Sequence, residues 1–163
     1  MASKEINRNP IIANPKSWLS WDFIITFSGR EISELDLVSF SKEGSFTVNH
    51  YKYKVSREGL FTGDFLLESY NKIVAKANKP SAFRKRFIIK ALDQEFELCR
   101  QSFLGKSYVI KKNGKTIGSI KTMGFFSYKT LIDISIDMPV PIKIFIFWLV
   151  LIMWRRRKKS NNS

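Results

Sequence analysis

The 163-residue chain predicts an all-β fold, and three observations carry that reading. Turn-forming pairs and glycines recur about every 8 to 14 residues between positions 29 and 124, and the runs between them are short and rich in apolar residues. Lys52 and Lys54 alternate with Tyr51, Tyr53 and Val55, the period of two that a half-buried strand imposes. No long run with helical spacing interrupts the series, and aromatic residues make up 14% of the chain, a composition suited to pleated surfaces. Successive short strands of this kind build a sandwich or a barrel.

Taken in order, residues 1–17 read as an irregular arm broken by Pro10 and Pro15. Residues 21–27 are apolar and β-prone and stop at Ser28-Gly29. Residues 32–40 fit a short helix or a strand equally well, and Gly44 ends them. Residues 46–55, with His50 inside, read as one alternating strand. Glu58-Gly59 turns the chain into 60–68, Tyr70-Asn71 turns it into 73–77, and Asn78-Lys79-Pro80 breaks it again. Strands 86–92 and 95–101 flank Asp93-Gln94, strands 106–112 and 115–121 flank Asn113-Gly114, and a last strand covers 131–136. Asn-Gly is the sharpest of these signals, because it supplies the two positive φ angles of a type I′ hairpin. A two-residue turn there sets Lys112 against Lys115 and Lys106 against Lys121, on one face with Ile110 and Ile117. Like charges directly opposite repel.

The carboxy-terminal run has another character. Residues 142–154 read IKIFIFWLVLIMW, and Arg155, Arg156, Arg157, Lys158 and Lys159 follow. Pro139 and Pro141 suit a helix's first turn, where N–H groups lack partners, and Asp137 is placed as its N-cap. The expectation is a helix over 138–155, apolar on every side, with Ile144, Phe145, Phe147, Trp148 and Leu151 in a core. Such a helix must be hidden. Its apolar part spans ~20 Å, short of a bilayer's ~30 Å of hydrocarbon. A basic flank held in the cytosol would also export a basic domain that shows no secretory signal. The chain's own core is therefore the expected hiding place, and a membrane anchor formed by 142–154 is the alternative. Residues 18–157 then form one domain and 158–163 a basic, polar tail.

Three segments carry a family likeness: Tyr108-Val109-Ile110, the run from Asn113 through Lys115, Thr116 and Gly118 to Ile120, and the closing Phe145-Ile146-Phe147-Trp148-Leu149-Val150-Leu151. Over about residues 45–157 the chain resembles the superfamily of Tubby carboxy-terminal domains, LURP-one-related proteins and phospholipid scramblases. The resemblance implies a closed antiparallel barrel of about twelve strands around a central hydrophobic helix. It also implies binding at membrane surfaces or to phosphorylated head groups, or a scaffold role, in place of catalysis.

Chemistry-bearing motifs are few. GxxxxGK[ST], HExxH and CxxC do not occur, which removes the common NTPase, zincin and zinc-ribbon readings. One histidine, His50, and one cysteine, Cys99, leave no His-based metal site, triad or disulfide framework, and fit a reducing, cytoplasmic setting. Cys99 reads as packing material. Asp133 and Asp137 would stand ~13 Å apart along one strand, too far to act as a carboxylate pair. No catalytic residue, metal or cofactor is expected. What remains is charge: 28 Lys+Arg against 14 Asp+Glu give +14, with a pI near 10.0, and attract polyanions. The candidate anion or head-group residues are Arg84, Lys85 and Arg86, the hairpin lysines Lys111, Lys112 and Lys115, and Arg155, Arg156 and Arg157. The expected protein is a non-enzymatic barrel, peripheral at an anionic membrane or bound to a phosphorylated head group, with a helix-anchored membrane protein second and a non-specific nucleic-acid binder third.

Overall fold

A computed structural model describes residues 10–18, 20–37, 43–59, 63–78, 86–101, 106–124, 126–135 and 137–161. Twelve strands follow one another: β1 (Ile11–Pro15), β2 (Phe23–Phe27), β3 (Arg30–Leu37), β4 (Gly44–Val48), β5 (Tyr51–Glu58), β6 (Asp64–Ser69), β7 (Lys72–Asn78), β8 (Arg86–Ala91), β9 (Gln94–Arg100), β10 (Tyr108–Lys112), β11 (Lys115–Thr122) and β12 (Thr130–Ile134). Each pairs antiparallel with its sequence neighbours, and β1 pairs with β12, so the sheet closes on itself. One helix, α1 (Val140–Asn161), follows β12.

Five tight turns join β2–β3, β4–β5, β6–β7, β8–β9 and β10–β11. Both central residues of each have positive φ: Ser28-Gly29, Asn49-His50, Tyr70-Asn71, Leu92-Asp93 and Asn113-Gly114. That is the type I′ geometry whose twist matches its strands. All five lie at one end of the barrel, the hairpin end, and the longer connections lie at the other, the loop end.

The hairpins repeat. β2–β3, β6–β7 and β10–β11 each carry one extra residue, Ile32, Val74 and Ile117, at the same distance past the turn. β4–β5 and β8–β9 have none. The barrel is thus built from four-strand units, and β1 completes the third. Ile11 faces Ile132 and Ala13 faces Thr130, just as Tyr53 faces Phe46 and Val55 faces Gly44.

Inward positions alternate with outward ones, and many are small: Ala13, Gly44, Ala75, Ala77, Ala91 and Gly118. They leave room for α1. At Gly118 a Cβ would come within 2.6 Å of Ile134 Cα and 2.7 Å of Asp133 O, so only glycine allows β11 and β12 to approach there. Residues 142–152 are buried on all sides of the helix, Ile144, Phe145, Phe147, Trp148 and Leu151 fully so. Aromatics from three equivalent strands meet it: Phe23 on Phe147 at 5.0 Å, Phe65 on Trp148 at 5.6 Å and Tyr108 on Trp154 at 6.5 Å between centroids. A helix with no polar face is stable in this place because the barrel supplies an apolar wall all round it.

Several expectations need correcting. Within the supposed irregular arm, residues 11–15 form β1 and complete the ring, since Pro15, which lacks an N–H, stands at the strand's last position. Residues 46–55 are two strands divided at Asn49-His50, and His50 is a turn residue. Residues 30–37 are a strand. The turn placed at Asp93-Gln94 lies at Leu92-Asp93. Bulging at Ile117 shifts the register, so Ile110 faces Gly118 and Tyr108 faces Ile120, which takes Lys106 out of step with Lys121, while Lys112 does face Lys115. The last strand is Thr130–Ile134. The helix begins at Val140, with the Pro139 carbonyl accepting from the N–H groups of Ile142 and Lys143, so Asp137 lies ahead of the cap. It also continues through the basic run, so residues 158–161 of the supposed tail are helical.

Candidate functional site

α1 enters at the hairpin end, after β12, and runs to the loop end, where its basic last turns emerge. Several other segments bring cations to the same rim, among them Arg57 from the end of β5, Arg86 from the start of β8, Arg100 from the end of β9, and Lys106 ahead of β10. The helix adds Arg155, Arg156, Arg157 and Lys158.

Aromatic rings lie against three of these cations. Trp21, before β2, packs on Tyr128, before β12, at 5.0 Å, and Tyr128 packs on Trp154 at 5.8 Å. The Arg155 guanidinium lies 5.6 Å from the Trp21 ring, Arg156 lies 5.9 Å from Phe65, and the Lys106 ammonium lies 4.4 Å from Tyr128. Ring faces attract cations, and the planar guanidinium stacks well on them.

The electrostatics show crowding. Burial pushes the Lys106 ammonium below the usual lysine range, and Arg157 pushes it further. Burial likewise lowers Arg156, with Arg57 adding to the effect. Burial raises the Tyr108 phenol, against the pull of Arg100 and Arg157. Several carboxylates of this end are engaged elsewhere. Asp64 and Glu58 hold Lys76 at 2.9 and 3.3 Å, Glu34 and Asp36 pair with Lys16, and Asp22 accepts from the Leu37 N–H at 2.8 Å. Cations at a helix carboxyl terminus gain ~0.3–1 kcal/mol each from the macrodipole, which accounts for part of the helical run. That term does nothing for Arg57, Arg100 or Lys106, which come from other segments.

The sequence-derived candidates divide between the two ends. Arg155, Arg156 and Arg157 lie in the rim. Arg86 joins them and is paired with Glu97 at 2.7 Å. Arg84 and Lys85 lie outside the described residues. Lys111, Lys112 and Lys115 sit toward the hairpin end, with Lys111 opposite Glu97 on β9. The helix separates the two ends by about 22 Å, at 1.5 Å per residue over fifteen residues. Arg57, Arg100 and Lys106 were not among the candidates, because isolated basic residues at strand ends make no cluster in sequence.

Other chemistry is sparse. No group of three or more potential metal ligands occurs among the described residues. Cys99 is partly buried, its thiol raised by burial and by Glu97, which leaves it a poor nucleophile at neutral pH. An open groove of about 490 Å³ at the hairpin end, lined by Ile73, Lys76, Lys90, Leu92 and Glu95 among others, mixes charges of both signs. No helix among the described residues is long and apolar enough to cross a membrane. No protein-family model, no curated protein and no solved structure matches the chain, so the loop-end rim stands on its geometry alone.

Proposed function

We propose that this is a non-enzymatic, cytoplasmic binding protein whose barrel docks, loop end first, on an anionic membrane surface or a phosphorylated head group. One observation carries the reading: cations from several strand and loop segments converge with the helix's basic last turns on one end of the barrel. A net charge of +14 supplies the long-range attraction, and the rim gives it a direction. The barrel with a carboxy-terminal helix supports the likeness to Tubby-like and scramblase-type domains, from which a surface-binding role would follow. The anchor alternative asks residues 142–154 to leave the core that they fill.

Co-sedimentation with phosphatidylserine-containing vesicles tests the proposal. Binding is expected to anionic and not to neutral vesicles, and to fall steeply as salt shortens the Debye length below ~8 Å. Replacing Arg155, Arg156 and Arg157 by Gln should weaken it strongly. Replacing Lys112 and Lys115, at the other end, should not. Equal affinity for duplex DNA would leave only polycation behaviour, the nucleic-acid reading.

A further inference from the structure

We infer that the loop end enters the bilayer interface through two exposed aromatics, Trp18 and Phe126, an inference that rests on the anionic-surface reading above. Trp18 is 87% exposed and Phe126 99%, the highest values among the described large hydrophobic side chains. They come from different connections, Trp18 between β1 and β2 and Phe126 between β11 and β12. β1 pairs with both β2 and β12, so the two connections are neighbours on one rim. Met123, half exposed, belongs to the second of them.

Ring packing and backbone bonds anchor the base beneath these tips. Trp21 and Tyr128, one from each connection, pack at 5.0 Å, and Tyr128 continues onto Trp154 of the helix. Each connection is also closed by a backbone bond, from Lys16 N–H to the Asp22 carbonyl and from Met123 N–H to the Lys129 carbonyl. Arg155 and Lys106 lie on the rings of that base. Two exposed apolar side chains therefore stand on the rim that carries the cations. Tryptophan and phenylalanine at the interface with Lys and Arg at phosphate depth is the arrangement that anionic bilayers favour. Charge complementarity selects the occupant: a protein partner would have to be strongly acidic and apolar at once, whereas an anionic leaflet offers both over a continuous area. The exposed Tyr70 at the hairpin end, 74% accessible, lies far from this cation ring and serves as the comparison.

Full-length protein is mixed with vesicles of phosphatidylserine and brominated phosphatidylcholine, whose bromines quench indole fluorescence on insertion. Trp148 and Trp154 are buried and Trp21 is half-buried, so Trp18 is the accessible reporter. Quenching is expected for the native chain and for Tyr70→Ser, and is expected to vanish in Trp18→Leu, which keeps an apolar tip. The double change Trp18→Ser with Phe126→Ser should lower vesicle partitioning by on the order of tenfold or more, with the thermal melt unchanged. Vesicle binding without quenching, and without loss in the double variant, would overturn insertion while leaving electrostatic docking intact. Absence of binding to anionic vesicles would overturn both.

Discussion

The Phe65 ring on β6 meets the Trp148 indole of the helix edge-on, with centroids 5.6 Å apart and planes at 76°. Phe23 makes the equivalent contact with Phe147 at 5.0 Å and 90°. Phe147 and Trp148 are adjacent on the helix and point about 100° apart, so consecutive residues reach different walls of the barrel. Edge-to-face pairs add ~0.5–1.5 kcal/mol beyond the area they bury. The barrel and its helix are therefore one core.

A stop codon at Ile142 tests this directly. Loss of one buried Leu or Phe costs about 2–5 kcal/mol, and whole domains are stable by about 5–15 kcal/mol. The truncated chain should be unfolded or aggregated, as judged by near-ultraviolet circular dichroism. Phe147→Asp, which places a carboxylate against Phe23, should lose the cooperative melt. A truncated barrel that still melts cooperatively would show that the strands do not need the helix.

The turn at Asn49-His50 yields a gain-of-stability prediction. His50 holds φ 69°, a left-handed conformation that costs a side-chain-bearing residue about 1–2 kcal/mol. Glycine removes that cost and adds about 0.5–1 kcal/mol of chain entropy. His50→Gly should therefore stabilise by up to about 1 kcal/mol in urea unfolding. No change or a loss would mean that the imidazole contributes a contact that outweighs the strain.

The same turn shows what the sequence conceals. Asn113-Gly114 is legible because its residue types state their φ preference. Asn49-His50 and Leu92-Asp93 adopt the same geometry with weaker signals, and the register of the closed sheet holds them there. Strand β1 was hidden by Pro10 and Pro15, and its role exists only once β2 and β12 flank it. The helix was legible from its unbroken apolar run, because such a run has few places to go. The rim was half legible: Arg155, Arg156 and Arg157 are contiguous, whereas Arg57, Arg100 and Lys106 are joined only by barrel closure. Grouping Lys111, Lys112 and Lys115 with them followed charge alone, and the antiparallel path of β10 carries those lysines away from the loop end.

Lys112 and Lys115 face each other across the Asn113-Gly114 turn, and a like-charge cross-strand pair costs some tenths of a kcal/mol. Replacing both by Gln should leave stability unchanged or slightly raised, most visibly at low salt. Circular-dichroism melts at two ionic strengths measure it. A clear loss of stability would mean that their aliphatic stems, packed along the hairpin, outweigh the repulsion.

Lys143 gives the pH-dependent prediction. It is buried in the first turns of α1, and burial holds its ammonium below the ordinary lysine pKa of 10.5, while Asp133 and Asp137 pull partly the other way. The unfolded chain titrates at the ordinary value, so between the two pKa values it binds more protons than the folded chain. Stability from this group therefore rises with pH, is fully present above 10.5, and is lost as pH falls through the folded value. At pH 7 the buried charge is a net penalty. Lys143→Met should accordingly stabilise at pH 7, by roughly 1 kcal/mol or more, and the gain should shrink as the pH rises toward 10. Cys99 and Tyr108, both raised by burial, contribute slopes of the opposite sign. Comparing urea midpoints of the native and Lys143→Met chains at each pH cancels them. A gain independent of pH would show that packing, and not the charge, separates the two chains, and a loss at pH 7 would show that the attraction of Asp133 and Asp137 exceeds the cost of burial.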